Sequence, residues 1–147
     1  MALKAQLKWT DGMQFIARAG NSPAVVVDNH EGGSGSSPME LVLLGVAGCT
    51  AMDVISIMQK KRAHLTDFQV NISGERAEEH PKRFTNIRIE FVLHGEDIKP
   101  KAVQNAIQLS ETKYCGAMAS LNANFEFTYR IVATNKFGTY QNGLLPI

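Results

Sequence analysis

Apolar residues occupy every second position over residues 3–9 and again over residues 13–19. The two alternating runs are separated by Asp11-Gly12, a dipeptide that is typical of tight turns. This pattern predicts a β-hairpin, and a third short strand is predicted over residues 24–27.

The longest apolar stretch, residues 36–62, lacks this alternation and predicts a long buried helix. We expect Ser37 to be its N-cap and Pro38 to take the first helical position, while Glu40 completes a capping box. Glu40 and Asp53 leave a dozen uncharged residues between them, which is too few to cross a bilayer. A chain of 147 residues has little material to surround such a helix, so a homodimer is expected.

Alternation returns beyond this helix and predicts two strands, around residues 68–72 and 87–93, that pair as a hairpin. An amphipathic helix over residues 98–109, with Pro100 near its start, and a short helix over 116–122 follow, before a last strand over 125–131. Residues 134–147 show no clear pattern and are left unassigned. The order predicts an α+β fold with a mostly antiparallel sheet, forming one domain over residues 1–147 with its core at about 3–132.

Composition excludes several classes of function. With 44% hydrophobic and 20% charged residues, the chain fits one soluble domain, and its net charge of +1 favours neither nucleic acid nor membrane as a partner. The N-terminus lacks the apolar run of a secretory signal, so a cytoplasmic location is expected. The Gly/Ser-rich segment 28–37 carries no nucleotide-binding signature, and is either a connector or a mobile loop that admits a ligand. The four histidines are widely spaced, so a metal site is not expected.

Two cysteines, Cys49 and Cys115, lie 66 positions apart. Cys49 falls on a helical stripe with mostly small neighbours, which leaves room for another backbone to approach the thiol. Cys115 is predicted at the N-terminus of a short helix, close to Lys113, and on local grounds it should be the more acidic thiol. Asp53, one turn after Cys49, disfavours a thiolate there, although a cation from another segment would reverse the order. Unpaired cysteines are also common as plain core residues.

The segment SPMELVLLGVAGCTAMDVISIMQKKR, together with KYC before a short helix and the strand order around both, resembles the OsmC/Ohr family. This is the family of osmotically induced and organic-hydroperoxide-resistance proteins, and the likeness is greatest to its small YhfA-like branch. The resemblance covers roughly residues 3–132. It implies an OsmC-like intertwined homodimer in which the central helices are buried and two equivalent sites lie at the interface.

The resemblance also implies a thiol peroxidase without metal, haem or flavin. Cys49 would be the peroxidatic cysteine, Cys115 the resolving cysteine, and a dithiol reductant would restore both after a hydroperoxide has been reduced. The family's acidic site residue corresponds to Glu40. Glu40 lies nine residues before Cys49, about 13 Å along the axis and about 180° around the helix, so it would serve the partner chain's site.

The chain departs from the family pattern in two places. The arginine that precedes the central helix in the family's peroxidases is absent, and the nearest upstream candidate is Arg18. Gly116 stands after the second cysteine where proline is common in the family. Three interpretations therefore remain: a two-cysteine hydroperoxide reductase involved in the stress response, a non-catalytic dimer that binds a small apolar or electrophilic ligand at its interface, and a structural dimer with ordinary core cysteines.

Overall fold

A computed structural model describes residues 1–133 and 140–145 of the chain. The chain divides into two compact units, Met1–Val42 and Leu43–Ile147, and the boundary falls within one continuous helix. Each unit is therefore described by itself.

The N-terminal unit is a three-stranded antiparallel sheet in the order β1-β2-β3. Its strands are β1, Ala5–Asp11, β2, Gln14–Ala19, and β3, Val25–Val27. The predicted hairpin is confirmed, because β1 and β2 pair antiparallel. In its turn Gly12 adopts a positive φ of 54°, and the Gly12 carbonyl accepts a 2.8 Å hydrogen bond from Trp9 Nε1. The hairpin nevertheless exposes large apolar side chains, including 63% of Trp9 and 62% of Met13.

The Gly/Ser-rich segment forms a turn built around the carboxylate of Asp28. Asp28 is only 5% exposed, and it accepts hydrogen bonds from the backbone N–H groups of Asn29 and Ser34 and from the Ser34 hydroxyl. These bonds, led by the Ser34 hydroxyl, lower the pKa of Asp28, and its own N–H donates to Ser36 O at 3.2 Å. The segment thus joins β3 to the start of the following helix through defined contacts.

The central helix, α1, spans Pro38–Lys60 and begins as predicted. The Ser37 N–H donates to Glu40 Oε1 at 2.9 Å and the Glu40 N–H donates to Ser37 Oγ at 3.3 Å, so the capping box is present. The face of α1 that is buried within the chain consists of Val46, Ala47, Thr50, Val54 and Met58.

Length and composition alone would allow α1 to span a membrane, so the spacing of Glu40 and Asp53 is a weaker argument against a span than the sequence suggested. Core helices of soluble proteins have the same length and composition. The buried face of α1, with Val54 and Met58 both 0% exposed, fits such a core helix.

The C-terminal unit contains a four-stranded sheet in the order β4-β5-β6-β7. The strands are β4, His64–Arg76, β5, Phe84–Glu96, β6, Asn124–Ala133, and β7, Tyr140–Leu145. Among the described strands of this sheet only β5 and β6 pair in parallel, so the prediction of a mostly antiparallel α+β fold is confirmed. Side chains of β5 and β6 form much of the core, with Phe91 and Phe127 fully buried.

Two helices and a π-helical turn make the crossover that a parallel strand pair requires. They are α2, Pro100–Leu109, the π turn, Ser110–Tyr114, and α3, Gly116–Ala119. Pro100 occupies the start of α2 as predicted, and α2 contacts β6, where Gln104 Nε2 donates to the Tyr129 hydroxyl at 2.9 Å. The predicted short helix is present but ends at Ala119 instead of Asn122.

The described part of the unassigned segment, Tyr140–Leu145, forms a strand that the sequence did not predict. Its strand β7 pairs antiparallel with β6. Residues 134–139 and 146–147 lie outside the described part of the chain.

Candidate functional site

Cys49 lies in the middle of α1 and is half-buried. The next residue, Thr50, is fully buried, whereas Gly45 and Met52 on the other side of the helix are exposed. A Cβ atom placed on Gly45 or Gly48 would meet nothing within 4 Å. The predicted small-residue stripe therefore leads from the surface of the described chain to the thiol.

Cys115 reaches the same place from the other side, at the junction between the π turn and α3. Its backbone is extended, with φ −77° and ψ 98°, and its N–H donates to Ser110 O at 2.8 Å across the π turn. The side chain is the N-cap of α3, because Sγ accepts a hydrogen bond from the Met118 N–H at 3.4 Å. A π-helical turn beside a thiol is notable, since such turns are frequent at functional sites.

The structure brings Cys49, Asp53 and Cys115 together. The two sulfur atoms and a carboxylate oxygen of Asp53 all lie within 4.8 Å of one another. Cys49 and Asp53 are neighbours because they are four positions apart on α1. The two thiols thus meet although Cys49 and Cys115 lie 66 positions apart, and we call these three residues the dithiol cluster.

A buried hydroxyl group, that of Ser110, holds the carboxylate of Asp53 and is itself in contact with the Thr50 hydroxyl. Ser110 Oγ donates to Asp53 Oδ2 at 2.9 Å, and Ser110 Oγ and Thr50 Oγ1 are 2.8 Å apart. Both hydroxyl residues are 0% exposed. The sequence analysis missed Thr50 and Ser110 as site residues, and it treated Asp53 only as a charge that disfavours a thiolate. The spacing of Asp53 from Cys49 was a visible signal, whereas nothing local marks Ser110.

The prediction that the local setting of Cys115 favours a thiolate is wrong. Burial, followed by the nearby Cys49 thiol, raises the pKa of Cys115 from an ordinary value of 9.0 to about 11. Hydrogen bonds from the Met118 and Ala117 N–H groups act in the opposite direction, as expected at a helix N-terminus, but they are outweighed. Because Cys115 is only 3% exposed, the cost of desolvating its thiolate exceeds the stabilisation that these hydrogen bonds give.

A cavity of about 400 Å³ opens beside the dithiol cluster. Asp53 forms part of its wall, together with the apolar side chains of Ile57 and Leu109 and the ring of Tyr114. Lys60 and Lys61 stand at the same cavity. Within the described part of the C-terminal unit, no lysine or arginine forms an ion pair with Asp53.

The carboxylate of Glu40 is engaged in capping at the start of α1. Its carboxylate caps the helix through Ser37 and lies 3.9 Å from His30 Nδ1. The Ser37 N–H, followed by the Ser37 hydroxyl and then the charge of His30, lowers the pKa of Glu40. Arg18, the arginine nearest upstream, lies exposed on β2. The dithiol cluster includes neither residue.

The fold and the cluster define an α+β protein with paired cysteines, one on a long central helix and one before a short helix. Residues 31–130 match the family described as OsmC-like protein. The chain is 38% identical over 133 residues to protein YhfA of Escherichia coli K12, with 89% of this chain and 99% of YhfA covered. This chain therefore belongs to the OsmC-like family, and a redox or hydroperoxide-related role follows for it at that coarse level.

Solved structures agree with this assignment. A hypothetical protein from Aquifex aeolicus VF5 superimposes with a TM-score of 0.81 at 27% identity, covering 92% of this chain and 99% of that protein. The organic hydroperoxide resistance protein OhrB of Bacillus subtilis shares the fold, with a TM-score of 0.60 at 13% identity and coverage of 88% and 98%.

Proposed function

We propose that this chain reduces organic hydroperoxides with Cys49 and Cys115, and that a dithiol reductant restores the two thiols. The observation that carries the proposal is the closeness of the two sulfur atoms, which lie within 4.8 Å of each other although their residues come from separate segments. A disulfide needs such an approach, because its two sulfur atoms are joined at about 2.05 Å.

The two cysteines take different parts because their surroundings differ. Cys49 is half-buried within the chain, so its thiol is more accessible to a peroxide than the buried thiol of Cys115. Cys115 is 3% exposed and its pKa is raised to about 11, so it stays protonated at neutral pH and is a poor first nucleophile. Cys49 is therefore the peroxidatic residue of the proposal and Cys115 the resolving residue.

The reaction is a two-electron reduction of the peroxide. The Cys49 thiolate attacks the distal oxygen of the O–O bond, the bond breaks, and the alkoxide takes up a proton and leaves as an alcohol while the sulfur becomes sulfenic acid. The Cys115 sulfur then attacks the Cys49 sulfur, and hydroxide leaves with the thiol proton as water. The dithiol reductant supplies two electrons and two protons to reopen the disulfide.

A homodimer is part of the same proposal. Leu44 is 57% exposed and Met52 72% exposed on a helix that is otherwise apolar, and exposed apolar patches of this kind favour association. A second copy of the chain that packs on this face would close the wall around Cys49 and bring Glu40 of the partner subunit toward the site. Sedimentation should find a dimer at micromolar concentration, and a folded monomer under those conditions would contradict it.

The test of the activity is a thiol titration of reduced, chelator-treated protein with one equivalent of tert-butyl hydroperoxide. Wild-type protein should lose both thiols and form an intramolecular disulfide. The Cys49→Ser variant should not consume peroxide, while Cys115→Ser should be oxidised once and stall as a sulfenic acid that a 1,3-diketone probe can trap. Oxidation of Cys115 in the Cys49→Ser variant would reverse the assigned roles.

The role of Glu40 can be separated from its capping. In Glu40→Gln the side-chain oxygen that accepts from the Ser37 N–H is kept, but the charge is lost. A slower peroxide reaction at unchanged stability would support a part in the partner subunit's site. An unchanged rate would mean that Glu40 acts only as a helix cap.

The second candidate function is a dimeric binding protein, which the cavity of about 400 Å³ beside Asp53 favours. Its wall combines apolar and cationic side chains with the carboxylate of Asp53, as a site for a small apolar or electrophilic ligand would. The same titration decides between the two, because a binding protein keeps both thiols after addition of the hydroperoxide.

A further inference from the structure

We propose that Cys49, Asp53 and Cys115 form a binding site for one thiophilic divalent cation, of which Zn²⁺ is the representative. This goes beyond the proposed peroxide chemistry, which uses the sulfur atoms and assigns nothing to Asp53. The wide spacing of the histidines does not argue against this site, because its donors are two thiols and a carboxylate from two separate segments.

The positions of the donor atoms are close to those of a tetrahedral site. With Zn–S bonds of about 2.3 Å, two sulfur ligands of one zinc ion lie about 3.8 Å apart, and a carboxylate oxygen lies somewhat closer to each. The three donor atoms here are all within 4.8 Å of one another. Side-chain torsions alone can supply the remaining adjustment, since a contraction of about an ångström shared by three side chains leaves the backbone in place.

The types of donor indicate which cation would bind. Two thiolates and one carboxylate suit a borderline-soft ion, and zinc accepts sulfur and oxygen ligands in the same site. Calcium and magnesium prefer oxygen ligands throughout and are not expected here. When zinc binds, the two thiols lose one proton each, no electron is transferred, and the cation offsets two of the three negative charges of the cluster.

The surroundings of Asp53 resemble the outer shell of a metal ligand. Ser110 Oγ donates to one carboxylate oxygen at 2.9 Å and is itself 2.8 Å from Thr50 Oγ1, which leaves the other carboxylate oxygen for a metal bond. Outer hydrogen bonds of this kind orient ligating carboxylates and contribute to affinity. Both hydroxyl residues are fully buried, so the orientation is built into the core of the C-terminal unit.

The site has an entry path and an open fourth position. Asp53 forms part of the wall of the 400 Å³ cavity, and Cys49 is half-buried instead of enclosed. Three protein ligands and one open position are the arrangement in which zinc exchanges a water for another ligand. Metal binding and disulfide formation exclude each other, because each uses both sulfur atoms. A hydroperoxide that oxidises the two thiolates takes two electrons and two protons, yields the alcohol and water, and releases the cation.

The experiment titrates reduced, chelator-treated protein with Zn²⁺ against a chromophoric competitor, and with Co²⁺ to follow sulfur-to-cobalt charge-transfer absorption. Wild-type protein should bind one ion per chain and release two protons. Cys49→Ser and Cys115→Ser should each abolish the charge-transfer band or reduce it strongly. Asp53→Asn should lower the affinity at least about tenfold, and Ser110→Ala, which acts through Asp53, about tenfold.

Asp67→Asn is the matched control, because Asp67 is exposed on β4 and the change removes the same charge outside the cluster. It should bind Zn²⁺ as tightly as wild-type protein. The inference is overturned if reduced wild-type protein binds no Zn²⁺ at micromolar concentration, or if Asp53→Asn binds it as tightly as Asp67→Asn does. Disulfide formation in the metal-free protein is measured separately, so failure of the metal site and failure of the peroxidase proposal give different results.

Discussion

The two faces of α1 both carry apolar side chains but have different surroundings. Thr50, Val54 and Met58 are fully buried against the rest of the chain, whereas Leu44 and Met52 are largely exposed. One face is already part of a core, and the other is a surface on which we propose that a second copy packs. Cys49 lies between the two faces, which is why its thiol meets Cys115 on one side and is accessible from the other.

The largest effect is expected from truncating a methionine on the buried face. Met58→Ala should lower the free energy of unfolding by about 2–5 kcal/mol, because Met58 is 0% exposed and its removal leaves a cavity in the core. Denaturant unfolding at a fixed protein concentration measures the loss.

Met52→Ala is the control for this prediction on the other face. Met52 is 72% exposed, so its truncation should change unfolding by less than about 1 kcal/mol and act mainly on dimer dissociation. Equal losses for the two variants would mean that the two faces of α1 do not differ as described.

A smaller effect is expected from pH, through the buried thiol behind α1. Because burial raises the pKa of Cys115 above its ordinary value, folding favours the protonated form. The stability that the protonated thiol contributes is fully present below pH 9.0 and is lost as the pH rises toward about 11. It amounts to about 2–3 kcal/mol. The free energy of unfolding of metal-free wild-type protein should therefore fall over this pH range more steeply than that of Cys115→Ser. Parallel pH profiles for the two proteins would contradict it.

The smallest effect concerns Gly48 on the exposed stripe, and its sign tests the proposed dimer. A Cβ at Gly48 meets nothing within 4 Å in the single chain, so Gly48→Ala should stabilise an isolated helix by about 1 kcal/mol. If a second copy packs closely against this stripe, the added methyl group should instead weaken the dimer. Sedimentation and thermal unfolding of the variant distinguish the two cases, and a stabilised protein with unchanged association would count against close packing there.

Local signals predicted much of the fold. The capping box at Ser37 and Glu40, the turn at Gly12 and the first position of α2 at Pro100 were all identified, because each depends on residues a few positions apart. Strand β7 was missed, since YQNGLL shows no alternation and the strand is defined by its backbone pairing with β6.

The sequence by itself determined that a cysteine stands on a long apolar helix and another at the start of a short one, because caps, turns and periodicity act over one or two helical turns. The tertiary structure decided the pKa of Cys115 and the neighbours of both thiols. Burial outweighed the helix N-terminus at Cys115, and contact between distant segments brought Ser110 to Asp53 and both cysteines into one cluster. Desolvation and long-range contacts depend on how the whole chain packs, and no local pattern encodes them.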